Sequence, residues 1–421
     1  MAHDRLSIRV GVIALGDLGR SPRMLSHARS LAKRGAHVDL IGYGESELGD
    51  DLADHPQIRV RPLRTPSSGA ARSGTMAHGA LRLIAEGFAL LRLLLDRATR
   101  LDVILLQNPP ALPALLPALL AARVRGARLI LDWHNFGDAM LALRLGHDHF
   151  ATHVMAAAER ALGSRAHAHL CVSAAMQAAL EREKGIPGAV VLHDHPDERF
   201  VPTPDAQRRA LLSRLRPAME LPDLATEPAL VVSPTSWSRD EDFSLLLEAA
   251  RDCDARWRRS DSRHPDLLIA ITGRGPLQEQ TLREMRALNL QRIHLRSLWL
   301  EAEDYPAFIG SADLGLCFHR SASGVDLPMK LADFRGAGVP VCTLDYGPCL
   351  SERFRHGVDG LLFRDAAALA DQLDELFRGF PGDDSRLTQL RHKAAEARGE
   401  SWDEAWARQA LPLFADYQNT T

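Results

Sequence analysis

The apolar positions fall into short runs separated by longer polar-apolar mixtures. Ile8–Leu15, Val38–Ile41, Val103–Leu106, Ala127–Leu131 and Leu170–Ser173 read as strands, and so do Ala229–Ser233, Leu267–Ile271, Ile293–Ser297, Ala312–Phe318 and Val339–Val341. Each is short, nearly all apolar and followed by a stretch with helical spacing, which is the signature of parallel strands covered on both faces. Between Thr75 and Arg100, Leu81, Ile84, Phe88, Leu91 and Leu95 recur at helical spacing, with Arg82, Glu86 and Asp96 on another side. That stripe is expected to face a core. Leu83, Leu90, Leu93 and Leu94 broaden the apolar surface, and with Arg92, Arg97 and Arg100 beside them they suit contact with a membrane surface. Val103 to Ala122 carries no charge, yet Pro109, Pro110, Pro113 and Pro117 break it, so strand, turn and short helix describe it better than a membrane span.

At 421 residues and 46% hydrophobic composition, the chain suits two α/β domains. The boundaries expected are 1–200 for the first domain, 201–228 for a polar, proline-bearing linker, 229–398 for the second domain and 399–421 for a terminal helix. A formal net charge of −3 gives no reason to expect nucleic acid as a partner. Five cysteines without a C-x-x-C pair point to a reducing compartment, and neither to a disulfide framework nor to a zinc site. No signal peptide precedes the first strand, so the expected location is cytoplasmic and peripheral, with no transmembrane anchor.

Candidate chemistry sits where strands give way to loops. Gly16, Asp17, Gly19 and Arg20 form a glycine-containing loop that opens a helix but lacks the full G-x-G-x-x-G spacing, so it suits an acceptor or a sugar better than a dinucleotide. His134 follows the strand Ala127–Leu131, at the end where parallel sheets bind ligands. His193, Asp194 and His195 are adjacent in an extended run, point to alternate sides and make a poor metal site. Arg274 and Gly275 lie in the tight turn Thr272–Pro276, where backbone can approach a ligand. The richest stretch is Ser323–Val341. Gly324 lies in its loop, Asp326 is placed to cap a helix with Pro328 in the first turn, and Lys330 adds a positive charge at an anion-binding helix start. Asp333 follows on the same face and is placed to accept both hydroxyls of a ribose. No Asp-x-Asp pair stands at a convincing position, so no cofactor and no divalent metal are expected.

The stretch around Asp333 and Gly336–Val341 resembles the sugar-nucleotide segment of glycosyltransferases with two facing Rossmann-like domains. More broadly, the chain resembles the chitobiosyldiphosphodolichol β-mannosyltransferase family. The likeness runs through Gly16–Met24, Leu106–Pro110, Asp132–Asn135, Thr235–Trp237 with Asp240–Phe243, Ile271–Pro276, Trp299–Pro306 and Gly324–Lys330. It implies a GT-B fold, two facing Rossmann-like domains with a cleft between them, and transfer of mannose from GDP-mannose with inversion. The acceptor implied is a GlcNAc-terminated glycan on a polyprenyl diphosphate, and the bond formed is β-1,4. Asp17 is the preferred base and His134 the residue that positions the sugar, with the two roles exchangeable. Trp299, Gly324, Asp326 and Asp333 would contact donor or acceptor. Where related two-domain transferases carry a basic pair after the second domain's first strand, this chain has Glu241–Asp242, so Lys330 and Arg274 are expected to meet the diphosphate charge. A transferase or epimerase using another nucleotide sugar, or a non-catalytic sugar-nucleotide-binding protein, are the alternatives.

Overall fold

The computed structural model describes residues 5–63, 76–96, 98–222, 224, 226–259 and 263–418. Arg97, expected beside the leucine-rich helix, lies outside them. The chain divides into two compact units: Met1–Asp194 with Asp403–Thr421, and His195–Trp402.

In the first unit, β1 (Arg9–Asp17), β2 (His37–Tyr43), β3 (Ile58–Pro62), β4 (Val103–Asn108), β5 (Arg128–Trp133), β6 (Ala168–Cys171) and β7 (Val190–Val191) form a seven-stranded sheet in the order β3-β2-β1-β4-β5-β6-β7. All pairings are parallel. The order reverses between β1 and β4, and such a reversal opens a crevice at the carboxyl ends of the strands. β1 is irregular there: Ile13 pairs with Ile41 but the next pair is Asp17 with Tyr43, so β1 bulges over Ala14–Gly16. Gly42 permits the bulge, because a Cβ on it would lie 2.5 Å from the Ala14 carbonyl oxygen.

The second unit contains β8 (Ala229–Pro234), β9 (Leu267–Thr272), β10 (Ile293–Leu298), β11 (Leu314–Cys317), β12 (Val341–Leu344) and β13 (Gly360–Phe363), in the order β10-β9-β8-β11-β12-β13. Side chains alternate between two cores: Leu267, Ile269 and Ile271 enter one, and Leu268 and Ala270 the other. This accounts for uninterrupted apolar strands, since both faces are covered by helices. The reversal lies between β8 and β11.

Three expectations change. The stretch 201–228 contains a helix, Asp205–Met219, whose Leu211 and Met219 are buried in the second unit's core. Near the C-terminus the helices Trp402–Gln409 and Leu411–Gln418 belong to the first unit from Asp403 on, with Trp406 and Phe414 buried and stacked. The leucine-rich helix, Met76–Leu94, has its faces opposite to expectation: Leu90 and Leu94 are core, while Leu81, Ile84 and Phe88 are exposed. Gly87 brings this helix against the next, Leu112–Arg125, since a Cβ there would lie 3.1 Å from the Pro113 carbonyl oxygen. Among the described residues no helix is long and apolar enough to cross a membrane.

The two faces of that helix should answer differently to truncation. Leu90→Ala is expected to cost about 2–5 kcal/mol, as for other buried leucines, whereas Leu81→Ala should stay within about 0.5 kcal/mol. Urea unfolding of the two variants measures the difference; equal shifts would contradict this placement.

Candidate active site

Asp132, at the carboxyl end of β5, is fully buried and organises that edge of the first sheet. Arg23, from the helix Pro22–Lys33, donates to both of its oxygens, at 2.8 Å from Nε and 2.9 Å from Nη2. Nη1 of the same guanidinium reaches Asp194 at 2.8 Å and the Leu192 carbonyl at 2.9 Å. Burial pushes the Asp132 carboxyl upward, but Arg23 and then His134 outweigh it and hold the group well below the usual carboxylate range. An ionised Asp132 only accepts hydrogen bonds. His27 Nε2 at 3.1 Å and His134 Nε2 at 2.9 Å must therefore both be donors to it. Trp406 Nε1 donates to His27 Nδ1 at 2.9 Å, so that imidazole is neutral, in line with the lowering of its pKa by burial. His134 is less enclosed, with 22% of its side chain exposed, and in the neutral ring a hydrogen bond from Nε2 to Asp132 places the lone pair on Nδ1.

A second buried network holds the loop after His134. Glu159 accepts from Asn108 Nδ2 at 2.9 Å, the Gly137 amide at 2.7 Å and Lys184 Nζ at 2.8 Å, and Lys184 also reaches Asp138 at 2.8 Å. The His134 amide donates to the Asn108 carbonyl at 2.9 Å. Asp17 ends β1 and caps no helix with its side chain: its carboxylate accepts from the Ser46 amide at 3.0 Å and from the Ser46 hydroxyl. Gly19 makes room for that contact, since a Cβ on it would meet Ser46 Cβ at 2.8 Å. Gly16 is half-buried beside Asp17, and Arg20 is exposed at the end of the short turn Leu18–Arg20.

In the second unit, the loops after β8 and β9 are pressed together. Cβ atoms on Gly273 and Gly275 would lie 1.9 Å and 1.7 Å from the carbonyl oxygens of Thr235 and Ser236, so only glycine fits either position. Trp237, fully buried and stacked on Phe243 at 5.0 Å, ties the two loops by donating from Nε1 to the Gly273 carbonyl at 3.0 Å. Arg274 projects from this turn with its guanidinium 4.0 Å above the half-exposed indole of Trp299.

The stretch 319–333 departs from expectation in two respects. Asp326 caps nothing, because the helix begins at Lys330 with Met329 before it. Its carboxylate instead accepts from His319 Nε2 at 2.9 Å, Ser323 at 3.3 Å and the Ser321 hydroxyl. Lys330 does not present its charge outward: Nζ donates to the Pro234 carbonyl at 2.7 Å and is ion-paired with the buried Glu241. Burial lowers the ammonium's pKa, but Glu241 more than offsets this and raises it. The helix Lys330–Gly336 has only seven residues, too short for a strong dipole, so the anion site expected at its start is weak. Asp333 sits one turn on, half-buried, with the Tyr305 hydroxyl 3.4 Å from one carboxylate oxygen. Gly324, at φ +74°, adopts a conformation only glycine takes without strain.

His319, absent from the expected site, is held between two carboxylates. Burial pulls its pKa down, but Asp240, 3.4 Å from Nδ1, and Asp326 lift it to about 9. Tyr346 packs edge-on against the ring at 5.6 Å and donates to the Asp326 carbonyl at 2.9 Å. Its position just past the end of β11 was the available signal, the same one that singled out His134. Arg23 and Asp132 stood inside stretches already singled out, but nothing local marked them as a pair. Among the described residues, no group of three or more His, Cys, Asp or Glu side chains is arranged to hold a metal ion.

Residues 19–196 match the glycosyl transferase 4-like domain, and residues 220–396 match the glycosyl transferases group 1 family. Sucrose-phosphate synthase from Thermosynechococcus elongatus superposes with a TM-score of 0.69 at 16% identity, covering 98% of this chain and 100% of that one. The Anabaena protein HepE, solved with UDP and glucose, gives 0.64 at 15% identity, covering 98% of each chain. Two parallel-sheet domains with these matches make the protein a glycosyltransferase of the GT-B fold. Within that class, mouse chitobiosyldiphosphodolichol beta-mannosyltransferase is 38% identical over 97% of this chain and 89% of its own, and the human one 37% identical over 98% and 94%. The Arabidopsis thaliana UDP-glycosyltransferase TURAN is 38% identical over 96% of this chain and 97% of its own. The chain belongs to the chitobiosyldiphosphodolichol beta-mannosyltransferase family.

Two measurements test the electrostatics of these edges. Asp132→Ala leaves a buried guanidinium without its principal counter-charge and should cost about 3–5 kcal/mol. Replacing Arg23 and Asp132 together by Met and Leu should recover part of that loss in urea unfolding. The second concerns His319, whose folded pKa of about 9 lies above the ordinary histidine value. Its stabilisation is then fully present below about pH 6.5 and is lost as pH rises through about 9. Over that window the unfolding midpoint of the wild type should fall more steeply than that of His319→Gln; parallel profiles would rule out a charged His319.

Proposed function

We propose that the protein moves mannose from GDP-mannose onto the GlcNAc end of a chitobiosyl unit carried on a polyprenyl diphosphate, forming a β-1,4 bond with inversion. The observation that carries this reading is the full-length likeness to enzymes named for that transfer, with 38% identity to the mouse protein.

On this reading the second unit holds the donor. The glycine-pinned backbone of Thr272–Pro276 takes the diphosphate, Arg274 supplies its counter-charge, and Asp333 accepts from the ribose hydroxyls. Lys330 acts indirectly, by fixing Glu241 and hence the Thr235–Ser236 backbone. The first unit provides the base. His134 suits that role better than Asp17, because Asp132 holds its Nε2–H and leaves Nδ1 to accept a proton. Nδ1 takes the proton of the acceptor hydroxyl as that oxygen bonds to the anomeric carbon. The carbon–oxygen bond to the diphosphate breaks, and GDP leaves with the electron pair. Asp17 shapes the loop through Ser46. With Arg274 meeting the diphosphate charge in this reading, turnover is expected to survive a chelator.

The relative named as a UDP-glycosyltransferase supports a second reading, with a uridine diphosphate sugar as donor. Incubation with GDP-mannose, UDP-glucose or UDP-N-acetylglucosamine and a short-chain prenyl-diphosphate chitobiose separates the two. GDP release with one added hexose, removable by β-mannosidase, is expected; turnover with a UDP-sugar alone would overturn the donor assignment. His134→Ala should lower turnover by about 10²-fold or more while leaving GDP affinity unchanged. Arg274→Ala and Asp333→Ala should instead weaken GDP binding in calorimetry. If His134→Ala turns over normally and Asp17→Asn does not, the base is Asp17.

A further inference from the structure

The described residues include a broad exposed apolar surface, and all of it is on the first unit. Leu81, Ile84 and Phe88, spaced i, i+3, i+7, form one row on the helix Met76–Leu94 and are 65%, 68% and 67% exposed. Leu116, Leu120 and Val124, spaced i, i+4, i+8, form another on the helix Leu112–Arg125 packed against it. The surface continues over two further packed helices, Gly137–Leu145 and Phe150–Gly163, where Leu143 is 51% and Phe150 79% exposed. Apolar patches beyond a few hundred Å² are uncommon on proteins that work free in water, and they mark contact surfaces.

Charge identifies the occupant. These four helices carry Arg82, Arg92, Arg123, Arg125, Arg144 and Arg160 against three acids, Glu86, Asp138 and Glu159. Glu86 and Glu159 are buried, and Asp138 is paired with Lys184, so the helices themselves turn little negative charge outward, the exposed acids Asp96 and Asp148 lying in the loops that follow Met76–Leu94 and precede Phe150–Gly163. A protein partner complementary to apolar rows rimmed by arginine would need its own apolar face edged with acids. An anionic bilayer presents both features over any area.

Chain direction places one end of each row near a particular edge. The helix Met76–Leu94 runs toward the start of β4, so Leu81 lies about 20 Å back from Leu94, roughly one strand length, and near the carboxyl edge of the sheet. Leu116 and Phe150 follow β4 and β5 closely and lie near the same edge, the one that carries Asp17 and His134.

We propose that the exposed faces of these four helices form a docking surface for an anionic lipid bilayer, leucine, isoleucine and phenylalanine side chains entering the headgroup boundary and arginines meeting lipid phosphate. The proposal deepens the reading above, since a polyprenyl-linked acceptor resides in a bilayer, but it stands on a surface whose chemistry does not depend on the sugar transferred. Flotation with vesicles of phosphatidylcholine alone and of phosphatidylcholine with phosphatidylglycerol tests it without donor or acceptor. Binding to the anionic vesicles, weakened by high salt, is expected. A variant with Ile84→Ser, Phe88→Ser and Val124→Ser should bind about tenfold less or weaker, as should one with Arg92→Glu and Arg123→Glu. Because these side chains are exposed, both variants should melt as the wild type does and keep turnover on a short-chain acceptor. Absence of vesicle binding, or binding that the substitutions leave intact, would overturn the proposal. So would a wild-type dimer in light scattering that the serine variant dissolves, since the surface would then belong to a second copy. Loss of sugar transfer with flotation intact would count against the assigned reaction and not against the surface.

Discussion

A carboxylate with no access to water needs a cation beside it, and the first unit is arranged around how Asp132 meets that requirement. Arg23 is fixed to it through two hydrogen bonds, and the same guanidinium spans to Asp194 and the Leu192 carbonyl. One buried pair therefore joins the first helix, the fifth strand and the last segment before the chain leaves the unit. His27 adds the helix Trp402–Gln409 through Trp406, a contact 379 residues apart in sequence. His134 inherits its orientation from this arrangement. Breaking the pair would strand a charge in a low-dielectric interior.

The second unit uses charge in the same inward manner. Lys330 neutralises Glu241, and His319 lies between Asp240 and Asp326. These ion pairs position backbone: Glu241 also receives the Ser236 amide at 3.0 Å, and so holds the loop on which Gly273 and Gly275 close. Arg274 adds a contact of another kind, its guanidinium lying 4.0 Å from the Trp299 ring centroid. A guanidinium stacked on an indole is attracted by the ring face and held in orientation by it.

The strands and the two-unit plan were legible because strands buried on both faces must be apolar throughout, and that pattern is local. Strand-end positions were legible for the same reason, and they led to His134 and Arg274. Pairings were not. Arg23 and Asp132 stand 109 positions apart and Lys330 and Glu241 89 apart, and sequence spacing carries no information about which charges a fold brings together. Lys330 and Asp326 thus looked available to a ligand although their partners lie within the protein. The helix Asp205–Met219 was hidden by its charged composition: a low proportion of apolar residues read as a linker, although Leu211 and Met219 are buried, Leu212 and Leu215 pack beside them, and Arg208 and Arg214 pair with Asp313 and Asp304.

The helix Met76–Leu94 shows a different limit. Periodicity establishes that a helix has an apolar stripe, and the core is then assigned to that stripe because water is assumed to be the only alternative. Where two stripes are apolar, the assumption fails. Leu81, Ile84 and Phe88 make the more regular row, yet Leu90 and Leu94 form the buried one, because the helix must also accommodate Glu86 and bring Gly87 against Pro113. Glu86 is buried with Arg82 as its partner at 2.7 Å, while the neighbouring apolar row faces outward. A polar residue on the buried side and phenylalanine on the exposed side are each unfavourable in water alone. Their coexistence in one helix is consistent only with a fold that tolerates both, and the exposed row loses its cost once it meets something other than water.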